Sequence, residues 1–286
     1  MRGLFVGLTT LDLIYRAAQP PAKNQKLVAS DYLVSAGGPA TNAAIAFASF
    51  RHAATVLSSL GCHPLTHLIQ ADLQVCHVTL HDLSPTKTEP PPVSSIVVTE
   101  ATGERAVISI NAVKTAIPAA QVSPELLDDV RIVLIDGHQM AVGEKLAKHA
   151  RASGIPVVID GGSWKPGFES VLPLADYAIC SANFQPPHCQ TAADTIAYLQ
   201  ALNIPHIAIT HGDQPIQYCD RGISGCLSVP AIQPVDTLGA GDIFHGAFCH
   251  AILEIDFVEA LSAAAKVAAH SCQYFGTREW MKTTKP

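Results

Sequence analysis

Basic blocks are missing from this chain, as are long apolar runs and closely spaced cysteine pairs, and each absence removes a class of function. The formal charge is −6 and the isoelectric point lies near 6.1. With no Lys/Arg stripe, nothing offers a nucleic acid the clustered cations that its phosphates require. No stretch approaches the roughly eighteen consecutive apolar residues of a membrane-spanning helix. The N-terminal MRGLFVGLTTLD reads as a strand rather than a cleavable signal, so a cytoplasmic protein with no membrane partner is expected. The eight cysteines, at 62, 76, 180, 189, 219, 226, 249 and 272, contain no CxxC and several fall in apolar runs. Reduced core thiols are expected, none of them catalytic. The pairs His63/His67 and His77/His81 lack the acid of HExxH, and thirteen histidines make such spacings cheap, so no metal ligand is assigned.

What the chain has is material for a core: 48% hydrophobic against 15% charged residues over a length of 286. Apolar runs of strand length recur at 3–8, 131–135, 155–160, 176–180 and 206–210, several separated by helical spacing, as at 141–153 and 190–202. That alternation predicts parallel βαβ units, hence an α/β fold with a doubly wound, mostly parallel sheet flanked by helices. The paired runs 215–219 and 223–229 follow, then Ala-rich helices at about 240–253 and 256–274. Two stretches, 25–34 and 75–110, break the alternation, and VSSIVVTEATGERAVISI reads as a hairpin turning at Thr102–Gly103. Strands without intervening helices predict a small separate sheet.

The most informative segment is DTLGAGDIFHGAF at 236–248, where a strand-like run ends in a Gly-rich turn, an aspartate and an apolar helical pattern. Gly239, Ala240 and Gly241 let the backbone approach a ligand, and their N–H groups fall in the unpaired first turn of a helix, which favours negative charge. Asp242 sits in that same turn. A carboxylate beside an anion hole has a chemical use there, as the base that takes a proton from the attacking group. The loop is not a Walker loop, which needs a lysine after the glycines, nor a dinucleotide fingerprint, since Phe244 occupies the third glycine position. Upstream, GGPATNAAIAFASF at 37–50 follows an alternating run from Lys26 to Val34. Gly37 and Gly38 would let the chain pass close to a small ligand, and Asn42, early on the helix, offers both a donor and an acceptor to hydroxyl groups.

These two segments resemble the signatures of the PfkB (ribokinase-like) carbohydrate kinases, GG-x-x-x-N and DTxGAGDxF, the latter at every fixed position. The resemblance implies a single ribokinase-like α/β domain over 1–286, with a small β lid built from about 25–34 and 75–110. It implies an ATP-dependent kinase of a small carbohydrate, with Asp242 as general base and the amides of Gly239, Ala240, Gly241 and Asp242 as anion hole. Asp12, Gly37, Gly38 and Asn42 would orient the sugar, and Arg105 on the lid hairpin could reach substrate or phosphate on closure. Thr210 and Gly212 match a nucleotide contact, while DGGSWK at 160–165 and DGH at 136–138 would line the cleft. Mg²⁺ is implied with ATP, a monovalent cation could sit near Asp236 and the 274–277 loop, and the lid could pair two subunits as a homodimer.

Departures from the family pattern leave alternatives open. The Asn-x-x-Glu that often follows the 176–180 strand is broken: Asn183 is present but Pro186 stands where the glutamate would be, and Ala265 replaces a common Asn or His. A nucleoside kinase of the same fold is one alternative, although Val28, Ile96, Val98 and Ile108 would give a base only an apolar wall and no aromatic stack. A catalytically weak sugar-binding regulatory protein is the other, motivated by the missing glutamate.

Overall fold

A computed structural model describes residues 1–110, 117–119 and 122–283. The chain runs β1 (Arg2–Val6), β2 (Thr10–Ala17), β3 (Asp31–Gly37), α1 (Pro39–Ser49), β4 (Ala53–Ser58), α2 (Pro64–Val75) and β5 (Val78–Asp82). Next come β6 (Val93–Thr99), β7 (Arg105–Ser109), β8 (Val130–Ile135), α3 (Met140–Ala152), β9 (Val157–Gly161) and α4 (Phe168–Val171). It finishes with β10 (Tyr177–Ser181), α5 (Ala192–Ala201), β11 (His206–His211), β12 (Gln214–Asp220), β13 (Ile223–Leu227), α6 (Ala240–Ala251) and α7 (Phe257–Ser271).

The large sheet has the order β13-β12-β11-β10-β9-β8-β1-β4-β5. It is parallel from β5 to β11, and β12 and β13 add an antiparallel edge. Its central strands are nearly continuous apolar runs because both faces are covered. Phe5 points into one core with α1, α6 and α7, whereas its neighbours Leu4 and Val6 point into a second core with α3 and α5. Strand order reverses at β1, which lies between β4 and β8. In open α/β sheets that reversal leaves a crevice at the strands' C-terminal ends.

The small sheet has the order β3-β2-β6-β7, and its membership differs from the sequence expectation. The N-terminal apolar run divides: β1 ends at Val6, the chain turns through 7–9, and Thr10–Ala17 enters the small sheet between β3 and β6. Asp12 therefore lies within a small-sheet strand rather than after a strand of the large one. Val78–Asp82, which the sequence pattern groups with the lid, pairs in parallel with β4, because α2 supplies an ordinary crossover helix between them. Residues 25–30 are outside any strand. One face of the small sheet buries Ile14, Ile96 and Val98 against Leu33, Leu238 and Phe275. The other presents Tyr15, Tyr32, Val34 and Ile108 to solvent. Ile96 and Val98 are thus core residues on the same face as Asp12 and Ser94, and Ile108 faces outward. Among the described residues no helix is long and apolar enough to cross a membrane.

Candidate active site

The crevice beside β1 is organised by a buried acid. Asp136, just past β8, accepts N–H bonds from Leu8 (2.8 Å) and Ala40 (3.0 Å) on Oδ2. On Oδ1 it takes the N–H of His138 at 3.0 Å and the His138 ring nitrogen at 3.1 Å. Burial alone would raise its proton affinity, but the His138 charge and the bonds from His138, Leu8 and Ala40 outweigh it and hold the carboxyl below its ordinary value. One side chain thereby fixes the loop after β1, the start of α1 and the turn after β8.

The two motif helices cross at close range because the residues at the crossing are small. A Cβ on Gly246 would lie 2.2 Å from the Ala43 carbonyl oxygen and 2.7 Å from the Ala46 methyl, so only glycine permits this approach of α6 to α1. The crossing delivers Asn42 to Asp242, 200 residues away in sequence, with Asn42 Nδ2 donating to Asp242 Oδ2 at 2.8 Å. The Asn42 carbonyl faces the other way and accepts from Arg278 Nη1 at 3.1 Å. Arg278 Nη2 donates to the Ala36 carbonyl (2.6 Å) and pairs with Asp72 at 3.2 Å. Asp72 in turn accepts the Ala36 N–H at 2.9 Å. This chain fixes the Asn42 amide with its donor end toward the catalytic candidate. Sequence reasoning missed Arg278 and Asp72, which lie outside both motifs and meet Asn42 only through the fold.

At the head of α6, Gly239 is the N-cap, in the left-handed conformation at φ 71°. The first backbone bond of the helix runs from Ile243 N–H to the Gly239 carbonyl at 2.8 Å. The amides of Gly241 and Asp242 precede it, so they are among the first-turn N–H groups with no partner inside the helix. Beyond its own turn of helix, no heavy atom lies within 4 Å of where a Gly241 side chain would begin, and Gly241 is exposed. Asp242 has its proton affinity pushed up to about 7, first by burial and then by the nearby Asp160 carboxylate, against the Asn42 hydrogen bond and the charges of His245 and Arg105.

Asp12 extends from β2 toward the same crevice. Thr10 Oγ1 donates to its Oδ1 at 2.6 Å, and Ser94 from β6 also bonds to it. Burial raises its proton affinity, opposed by those two hydroxyls and by Arg278. A Cβ on Gly37 would stand 1.9 Å from Asp12 Oδ2, so the first glycine of the pair makes room for the carboxylate while Gly38 caps α1. Ser94 had no sequence signal, because its place opposite Asp12 follows from strand register alone. Arg105 donates to the Thr237 carbonyl at 3.0 Å, and the hairpin turn ahead of it docks on the same loop through Thr237 N–H to the Gly103 carbonyl, also 3.0 Å.

Thr210, Gly212 and Asn183 stand at the far side, at the ends of β11 and β10. Thr210 Oγ1 reaches the Cys180 carbonyl at 3.4 Å, Gly212 forms the β11–β12 turn at φ 67°, and Asn183 is exposed. The segment after β10 is anchored by Phe184, buried edge-on against Phe168 and beside Trp164. Ala265 is buried in the core of the large sheet rather than open to a ligand. The spaced histidines have local duties, His63 capping α2 by accepting the Leu65 N–H at 3.2 Å and His67 facing Gln70 at 3.4 Å.

Comparison with known proteins agrees with this geometry. The chain is 24% identical over 285 residues to the ribokinase of Bacillus subtilis strain 168, covering 97% of this chain and 95% of that one. It superposes on a protein provisionally assigned as a ribokinase from Agrobacterium tumefaciens with a TM-score of 0.86 at 25% identity, covering 98% and 97% of the two chains. Arabidopsis thaliana ribokinase complexed with ribose and ATP has the same fold, with a TM-score of 0.79, 22% identity and 99% of each chain covered. The profile of the pfkB family carbohydrate kinases matches residues 3–284, and the chain belongs to that family.

Proposed function

We propose that the protein transfers the γ-phosphoryl group of ATP to a hydroxyl of a small carbohydrate, with Asp242 as general base. The observation that carries this reading is the contact between Asn42 and Asp242, which joins the two motifs at the mouth of the anion loop. A hydroxyl held by Asn42, Asp12 and Ser94 would lie against a carboxylate whose proton affinity, near 7, suits proton removal at neutral pH. Oxygen charge developing on the transferred group would meet the first-turn amides of Gly241 and Asp242, preorganised and partly dry. Gly239 and Ala240 set the path of that turn.

The nucleotide would lie over the ends of β10 and β11, along Asn183, Thr210 and Gly212. Magnesium would enter with the phosphates and keep much of its water, since Pro186 stands where a carboxylate would follow Asn183. If a monovalent cation binds, buried Asp236 would supply its charge, although its two oxygens already accept the N–H groups of Leu238 and Gly276, each at 2.8 Å. The exposed apolar face of the small sheet, with Tyr15, Tyr32 and Ile108, would suit a second copy of the chain. A cytoplasmic location fits an enzyme that draws on ATP. Two readouts test the proposal: ADP release across a panel of pentoses, hexoses, sugar phosphates and nucleosides, and sugar binding without turnover. Turnover with a pentose, hexose or sugar phosphate is expected, turnover confined to nucleosides would replace the substrate class, and binding without turnover would favour a regulatory protein.

A further inference from the structure

His245 lies one turn into α6 from Asp242, and both of its ring nitrogens face backbone carbonyl oxygens. Nδ1 is 2.7 Å from the Gly241 carbonyl and Nε2 is 3.1 Å from the Ile179 carbonyl on β10. A carbonyl oxygen only accepts, so a neutral imidazole, with one N–H, could satisfy just one of the two contacts. The second would then set a lone pair against a lone pair in a buried site, since His245 is only 5% exposed. Protonation on both nitrogens resolves the conflict, and a counter-charge is at hand: the Asp160 carboxylate on β9, itself 5% exposed, stands 3.6 Å from Nδ1.

We propose that His245 is held as an imidazolium by Gly241, Ile179 and Asp160, and that it is a positioning residue for the base and the anion hole. Two effects follow from its placement. Its charge opposes that of Asp160 at Asp242, so the pair balances the field on the base. Its bond to the Gly241 carbonyl also fixes and polarises the planar Gly241–Asp242 peptide, whose N–H projects from the opposite side toward the cleft. The inference rests on the kinase reading for its catalytic consequence but not for the protonation state.

The other charged groups are compatible with this arrangement. Asp242 is acted on by Asp160, His245 and Arg105, with Asn42 as its hydrogen-bond donor. Burial raises the proton affinity of Asp160 and Asp136 adds to it, whereas His245, Lys165 and His138 lower it. The thiols of Cys180 on β10 and Cys249 on α6 also feel Asp160, and burial pushes both far up, so they stay uncharged.

The direct test is nitrogen-15 NMR of the histidine side chains in the intact wild-type protein near neutral pH, with His245 assigned by comparison with His245→Gln. Protons on both ring nitrogens are expected, and a single neutral tautomer would overturn the proposal. The kinetic test follows the acid limb of kcat/KM with the sugar found to turn over. His245→Gln should move that limb up and Asp160→Asn should move it down, each by roughly half a pH unit or more. Opposite shifts from two partners in contact are not what a loss of packing produces, and shifts in the same direction, or none, would reject the charge balance. If no sugar turns over, the kinase reading fails while the NMR result still decides the protonation of His245.

Discussion

The two ends of the cleft are built differently. Around Asp242 the functional side chains are buried or half-buried and bonded to one another: Asn42 to Asp242 and Arg278, Thr10 to Asp12, Asp136 to three separate segments. Around Thr210, Gly212 and Asn183 the groups sit on strand ends and turns, and Asn183 is exposed. The first arrangement would hold a small ligand's hydroxyl and the proposed base in fixed register, as the proposed phosphoryl transfer requires. The second suits a ligand gripped by backbone and shape, where no single side chain carries much energy.

That difference sets an order of expected effects. Asp242→Asn removes the proposed base, and phosphoryl transfer measured by ADP release should fall by roughly 10²–10⁴ while sugar binding persists. Near-wild-type turnover would end the assignment. The same substitution should stabilise the fold at alkaline pH. The Asp242 carboxyl, about 7 in the folded protein against an ordinary 3.8, loses stability on ionising. The wild type is therefore penalised progressively as pH rises from 3.8 to about 7 and fully above it. Melting curves should separate the two proteins above neutrality and converge in acid; a constant difference would mean that Asp242 does not titrate in this range.

Asn42→Ala tests the fixed end from its other partner. Loss of a hydrogen bond to an ionised group should lower kcat/KM for the sugar roughly tenfold to a hundredfold. The KM for ATP should stay within a factor of a few, and equal losses for both substrates would erase the distinction between the two ends. Gly246→Ala acts only through the helix crossing: the added methyl meets the Ala43 carbonyl, so a cost of about 1–3 kcal/mol is expected in denaturant unfolding, with weaker sugar use. Thr210→Ala should raise the KM for ATP by no more than about fivefold, one modest hydrogen bond's worth. The smallest effect belongs to Pro186→Glu, which should lower the Mg²⁺ concentration for half-maximal rate; an unchanged titration would show that a carboxylate at this place does not reach the metal's water.

Legibility in the sequence depended on how far apart in the chain the residues of a site lie. DTLGAGD could be read because one turn carries the whole anion loop, so neighbours in sequence are neighbours at the site. The GG pair and Asn42 were readable for the same reason. Arg278, Asp72 and Ser94 left no trace, since each reaches the site from a separate element and only tertiary packing brings them together. His245 lay inside the quoted motif, yet its role depends on Ile179 and Asp160 from two other strands. The large sheet was recoverable from its alternation of apolar runs and helices. The small one was misdrawn because the break at 7–9 is short and Leu8 within it continues the apolar run, so nothing announces that the chain is changing sheets.

The crossing of α1 and α6 also has a consequence for how the protein comes into being. Asn42 leaves the ribosome early, but Asp242 follows 200 residues later. The guanidinium that orients the Asn42 amide lies 236 residues downstream of it. Contacts of such sequence separation form late, after the costs of closing long loops have been met. A growing chain can thus fold much of its parallel sheet while remaining chemically inert, because the proposed base, its amide partner and the arginine clamp are not yet all present. A chain cut short before Arg278 would keep most of its architecture yet lack the clamp on Asn42.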